Sequence, residues 1–181
     1  AEQARLAGPR LAELDARRAA LAEQARAGFQ PPIEHGYHSA IEPRQDAEKW
    51  VQLDLGTPVE LVELTLHPCH DDFNGIGSGF GFPVRYRVDL ANDPEFQTNV
   101  VTVADRTAAD VPNPRLEPQR IGLPGVPRRY VRITATKLAP RSNDFIFALA
   151  EVSWRSTSNT PAGQPVAVTA RDTIEALPRW S

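Results

Sequence analysis

VRYRVDLA (84–91) alternates cleanly. Val84, Tyr86, Val88 and Leu90 face one way, and Arg85, Arg87 and Asp89 face the other. Period two with one apolar face predicts a half-buried strand. The pattern extends outward from there. KWVQLDL (49–55) puts Val51, Leu53 and Leu55 on one face, and VELVELTL (59–66) does the same with Val62, Leu64 and Leu66. NVVTVA (99–104), QRIGL (119–123), RYVRITAT (129–136) and FIFALAEVSW (145–154) complete the set. Between them stand Gly56-Thr57-Pro58, Asn92-Asp93-Pro94 and five prolines from Pro112 to Pro127, which are turn and loop signals. Many short strands with no helix between them predict an all-β sandwich or barrel over residues 37–155.

Composition bounds the rest. A chain of 181 residues holds one ordinary domain and an appendage. With 41% hydrophobic and 24% charged residues, disorder throughout is excluded, because enough apolar surface exists to offset chain entropy. Twenty Lys and Arg stand against 23 Asp and Glu, a net charge of −3, which disfavours nucleic-acid binding. No apolar run approaches the roughly 18 residues of a membrane span. A single cysteine, Cys69, leaves no internal disulfide and no CxxC motif. The chain has no Met, so a piece of a longer protein is expected, and no signal segment stands at its front.

The flanks differ from the middle. Residues 1–28 are rich in Ala, Leu, Arg and Glu, and Leu11, Leu14, Leu21 and Ala25 fall on one helical stripe. Pro9 suits a first turn and Gly28 a stop. A linker or coiled N-terminal α-helix is expected, followed by a Pro-containing connector at 29–36. Residues 156–181 open with the polar STSNTPAG and hold one strand candidate, PVAVTA.

Three segments carry a family resemblance. KWVQLDLG (49–56), RRYVRITAT (128–136) and FALAEVSW (147–154) resemble, in order and spacing, the signatures of discoidin, or coagulation-factor type C, domains. The resemblance covers residues 37–155 and implies an eight-stranded, discoidin-like jelly-roll β-sandwich. In that family the loops at one end of the barrel bind ligands, often galactose-type and other sugars in the family 32 carbohydrate-binding modules. It also implies an extracytoplasmic accessory module, not an enzyme. HPCHDDFNGIGSGFGFPVRYRV (67–88) and RTAADVPNP (106–114) are similar to domains of large planctomycete surface proteins that carry c-type cytochrome domains. The tail GQPVAVTARDTIEALPRWS resembles the opening of a discoidin-type domain, as if a second module began there. The usual opening strand is missing before Lys49, where GYHSAIEPRQDAEKW stands instead. In many members that loop helps hold a structural calcium together with a Glu of the last strand. Asp46 and Glu151 are the residues left to serve, in an incomplete pattern.

The loop His67–Phe82 is the richest in chemistry. Gly75, Gly77, Gly79 and Gly81 loosen its backbone. His70, Asp71, Asp72 and Asn74 bring donors and acceptors, and Phe73 and Phe80 bring apolar faces. Sugar recognition needs that mixture: polar groups for hydroxyls and a ring against the C–H face. The plainer reading has Phe80 and Phe82 plugging the barrel end and the Asp residues capping turns. A zinc reading of His67, His70, Asp71 and Asp72 lacks a Cys pair or an HExxH helix, and Cys69 reads as a small, buried, inert thiol. In the loop 139–144, Arg141 and Asn143 match the residues that contact hydroxyls in sugar-binding relatives, with Asp144 beside them. The plainer reading there is a surface salt bridge, to Asp71 or Asp72. A third loop, 105–114, forms another wall or covers a sheet edge. Trp50 and Trp154 read as core rim.

Three functions follow. In the first, His70, Asp71, Asp72, Asn74, Phe80, Arg141, Asn143 and Asp144 bind a glycan at one end of the sandwich. In the second, the domain is a structural or protein-interaction module that positions neighbouring domains of the parent protein. In the third, it is a small enzyme, which requires converging carboxylates or a metal-bound His pair. No Ser–His–Asp motif, phosphate loop or HExxH supports the third.

Overall fold

The computed structural model describes residues 17, 36–157, 165–174, 177, 178 and 180. The chain divides into two units, 1–31 and 32–181. The helix and connector expected over 1–36 lie outside the described residues apart from Arg17, which is helical, and Gly36.

Thirteen strands occupy the described residues of the second unit. They are β1 (Tyr37–His38), β2 (Lys49–His67), β3 (Cys69–Asp71), β4 (Gly77–Phe80), β5 (Arg85–Ala91), β6 (Val101–Arg106) and β7 (Gln119–Gly122). Then come β8 (Pro127–Lys137), β9 (Ala139–Pro140), β10 (Phe145–Ile146), β11 (Ala148–Leu149), β12 (Glu151–Ser156) and β13 (Ala167–Ala170). The all-β expectation holds, and every pairing among them is antiparallel.

One expected turn is a bend. Gly56-Thr57-Pro58 does not separate two strands; β2 runs 19 residues straight through it. Gly56 has φ +80, and its N–H donates to Asp54 Oδ1 at 2.7 Å. That conformation suits glycine, and the pairing with β8 slips between Asp54 and Val59. The bend lets β2 belong to both layers. Its first half pairs with β8 and β13, and its second half pairs with β12 and β7. One layer therefore runs β13-β2-β8-β5-β6, and the other is built from β12, β2 and β7.

The core lies between these layers. Val51, Leu53, Leu64, Leu66, Val88, Val131, Ile133 and Val152 are fully buried there. Parity breaks at Leu61, which is buried in place of Val62; the ladder to β12 shifts at the same point. A second, smaller cluster of Cys69, Phe80, Ile146 and Ala148 sits under the loops.

Residues 165–174 belong to this sandwich. β13 pairs with Val51–Asp54 of β2, and flanking bonds extend the ladder: Val166 N–H to Asp54 O at 2.7 Å and Arg171 N–H to Trp50 O at 3.1 Å. Trp180 is buried and donates from Nε1 to Ala150 O at 2.9 Å. The segment that resembles the opening of a module thus packs on the module that precedes it in the chain.

Candidate functional site

Strand register gathers the loops at one end. Lys49 pairs with Ala135, Arg85 with Lys137, and Tyr86 with both Ala135 and Arg106. The start of β2, the start of β5, the end of β6 and the end of β8 therefore share one edge of the layer. The segments 40–48, 70–84, 107–118 and 138–147 all leave from that edge. Backbone bonds tie them together: Leu138 N–H to Gln45 O at 2.8 Å, Val84 N–H to Lys137 O at 2.9 Å and Val111 N–H to Val84 O at 2.8 Å.

The 67–82 segment is more ordered than a long loop. β3 and β4 form a hairpin, closed by a 3-10 turn at Phe73–Gly75. Asp71 Oδ1 accepts from Phe73 N–H at 2.8 Å, and Asn74 has φ +51 at the exposed tip. His70 is fixed at both ring nitrogens, Nδ1 to Ser78 Oγ at 3.2 Å and Nε2 to Asp72 Oδ1 at 3.1 Å. Gly79 has φ +80, and a Cβ there would lie 1.8 Å from Asn113 Oδ1. Only glycine admits that approach, which docks the 105–114 segment against this hairpin.

The other loop folds on itself. Arg141 donates from Nε and Nη2 to the two carboxylate oxygens of Asp144, both at 2.9 Å, and its N–H donates to Asp144 O at 2.9 Å. The guanidinium holds the Asp144 carboxyl below its usual range, and its own pKa is raised by Asp144 first and by the nearby Asp71 charge last. Its carbon stands 4.4 Å over the Phe73 ring. The ion pair expected within this end thus forms inside the loop, and a cation–π contact joins the two loops.

The residues picked from sequence fall into three groups. Asp71 and Arg141 meet Phe73, Asp144 holds Arg141, and His70 and Asp72 bond each other on the hairpin that carries Phe73. Asn74 and Asn143 are exposed on the same two loops. Phe80 does not join them: it is 3% exposed and meets His38 edge-on at 5.8 Å. Its ring is core, and the exposed ring is Phe73, at 44%. Trp154 is buried, whereas Trp50 lies half-buried on the outer face with Arg132 stacked 4.5 Å over its ring.

The metal readings find no assembled donors. Asp46 is exposed and gripped by Arg44 through both oxygens, at 3.0 and 2.8 Å. Glu151 begins β12 opposite His67, whose Nε2 meets Ser153 Oγ at 2.8 Å. Among the described residues no three His, Cys, Asp or Glu side chains converge as a metal ion requires. The cation inside this region is the Lys49 ammonium, 2% exposed and bound by Glu42 and Asp172.

A cavity of about 400 Å³ opens beside these loops, lined by Gln45, Asp46, Arg85, Thr107, Thr136 and Lys137. Arg85 Nε and Lys137 Nζ both donate to the Asp110 carboxylate, at 2.6 and 2.7 Å. Sequence reading missed this groove. Arg85 reads only as an outward strand residue, and nothing local announces that it meets Lys137.

A known structure shares this architecture. The module CBM32-3 from a family 31 glycoside hydrolase of Clostridium perfringens superposes with a TM-score of 0.51 at 18% identity, over 69% of this chain and 77% of that one. The fold is that of a discoidin-like β-sandwich. Chitosan-binding module 1 of a chitosanase/glucanase from Paenibacillus sp. IK-5 is similar over 65% of this chain and 74% of its own, at 18% identity and TM-score 0.48. The C-terminal domain of a chitobiase from Bacteroides fragilis is similar over 71% of this chain and 77% of its own, at 16% identity and TM-score 0.47. No protein-family model matches the sequence, and no curated protein does. This discoidin-like sandwich carries its loop cluster on the shared strand edge described above. No helix among its described residues is long and apolar enough to cross a membrane.

Proposed function

We propose that this domain is a non-catalytic carbohydrate-binding module of a larger extracytoplasmic protein, and that it binds glycan at the loop end of the sandwich. The observation that carries the reading is the convergence of four loops on one strand edge, beside a cavity that two of them, 40–48 and 107–118, help to line with polar residues. The likeness in fold to CBM32-3 supports it, since that protein is named as a carbohydrate-binding module. Affinity at one shallow site is weak, and tethering to a larger protein makes it useful. The test applies the full chain to a glycan and polysaccharide array, with amide chemical shifts followed on any ligand found. Binding with shifts confined to residues 40–48, 70–85, 107–118 and 136–147 is expected. A folded protein that binds no glycan overturns the reading.

One observation favours a second reading. Arg141 is already committed to Asp144 and Phe73, and His70 to Asp72 and Ser78. A ridge cross-linked in this way serves as a rigid docking face for a neighbouring domain of the parent protein. An empty glycan array, together with protection of this ridge from exchange in the longer parent, would favour that module.

A further inference from the structure

The groove between Gln45 and Lys137 contains no aromatic residue among its lining side chains. A neutral sugar is held by a ring against its C–H face and polar groups on its hydroxyls. Here the exposed ring at this end, Phe73, carries the Arg141 guanidinium and does not line this groove. Stacking is therefore not what the groove offers, and its charges must supply the recognition.

Those charges do not cancel. Arg85 and Lys137 share a single carboxylate, Asp110. Asp46 is neutralised by its own partner, Arg44. One positive charge is left over at the groove, in a chain whose net charge is −3. Only Nε of Arg85 and one bond of Lys137 are engaged in hydrogen bonds among the described residues, so both keep donors for a ligand. Gln45, Thr107 and Thr136 line the remaining wall with neutral polar groups, suited to hydroxyls.

We propose that this groove takes a carboxylate-bearing sugar unit, a uronate, with its carboxylate on Arg85 and Lys137. The proposal rests on the reading of the domain as a glycan-binding module and names the class of glycan. Asp110 holds the two cations at the spacing a carboxylate already bridges. A second carboxylate completes the charge balance, and the planar Arg85 fork favours a planar anion.

The experiment measures binding of the full chain to polygalacturonate, to a sulfated galactan and to neutral galactan, by affinity electrophoresis and calorimetry. The expected order is polygalacturonate strongest, the sulfated polymer weaker and the neutral polymer weakest, with affinity falling as salt rises. Arg85→Gln and Lys137→Gln each lower polygalacturonate affinity by about tenfold, the size of a lost charged hydrogen bond. Arg155→Gln makes the same charge change on β12 and leaves binding unchanged. Equal loss with Arg155→Gln, a preference for the sulfated polymer, or salt-insensitive binding of neutral galactan at the same end overturns the uronate assignment while leaving a glycan-binding module in place. Binding to none of the three overturns this assignment, and the empty array described above decides the broader reading separately.

Discussion

Asp172 holds the buried ammonium of Lys49 across 123 residues of chain. Glu42 takes the same ammonium from the other side, and Asp172 Oδ1 also accepts from Ala40 N–H at 2.8 Å. Burial pushes the Lys49 pKa down, but the two carboxylate partners outweigh it and leave it raised. The loop before β2, the start of β2 and the tail are thereby locked at a single point. Removing Asp172 leaves the buried ammonium to Glu42 alone and takes the acceptor from Ala40 N–H. Asp172→Ala is expected to cost about 2 kcal/mol in urea denaturation. Lys49→Met leaves two carboxylates that are each about 30% exposed, and should cost less. Equal losses would contradict an ammonium-centred lock.

The two phenylalanines of the hairpin should behave oppositely. Phe80 fills the cluster with Cys69, Ile146 and Ala148, so Phe80→Ala opens a cavity and should cost about 3 kcal/mol. Phe73 is 44% exposed, so Phe73→Ala should cost less than about 1 kcal/mol. Thermal melts of both variants make the comparison. A severe loss on Phe73→Ala would mean that the Arg141 contact holds the whole loop end together.

Cutting the chain after Thr157 removes β13 and Trp180. The Val51–Asp54 edge of β2 then loses its partner, and unpaired strand edges recruit other chains. The truncated protein should elute as a dimer or aggregate, with faster amide exchange at residues 50–54. A monomer with unchanged exchange would show that the tail adds nothing to this sandwich.

Acid should weaken the fold through its paired carboxylates. Arg129 grips both oxygens of Asp54, at 2.7 and 2.8 Å, and lowers its pKa; backbone N–H bonds lower that of Asp93. An unfolded Asp titrates near 3.9, so below that value the unfolded chain binds more protons than the folded one. The stability these groups supply is complete above about pH 4 and is lost as pH falls through their lower folded values. Melting temperatures from pH 6 to 2 should drop in that window. Asp54→Asn should lower the melting temperature at pH 6 and flatten part of the acid decline.

Much of the scaffold was legible because alternation is a local property. Val51, Leu53, Val88 and Leu90 are buried as their parity requires. Lys49 shares the parity of Val51, so its burial was also written in the strand; its two carboxylate partners were not. Asp89 faces outward by parity yet is buried, because Arg87 and Thr102 close over it, at 2.8 and 2.6 Å. Glycines mark where the backbone is special, but not how: Gly56 bends one strand where a turn was expected, and Gly79 makes room for Asn113.

Strands, buried faces and the chemical richness of two loops are legible in the residue order, since side-chain period and turn chemistry act over a few residues. Tertiary structure decided which ring is exposed, that the tail closes the β2 edge, and that Arg85 and Lys137 share Asp110. Those facts depend on register between segments far apart in the chain, and no local pattern encodes the distance between them.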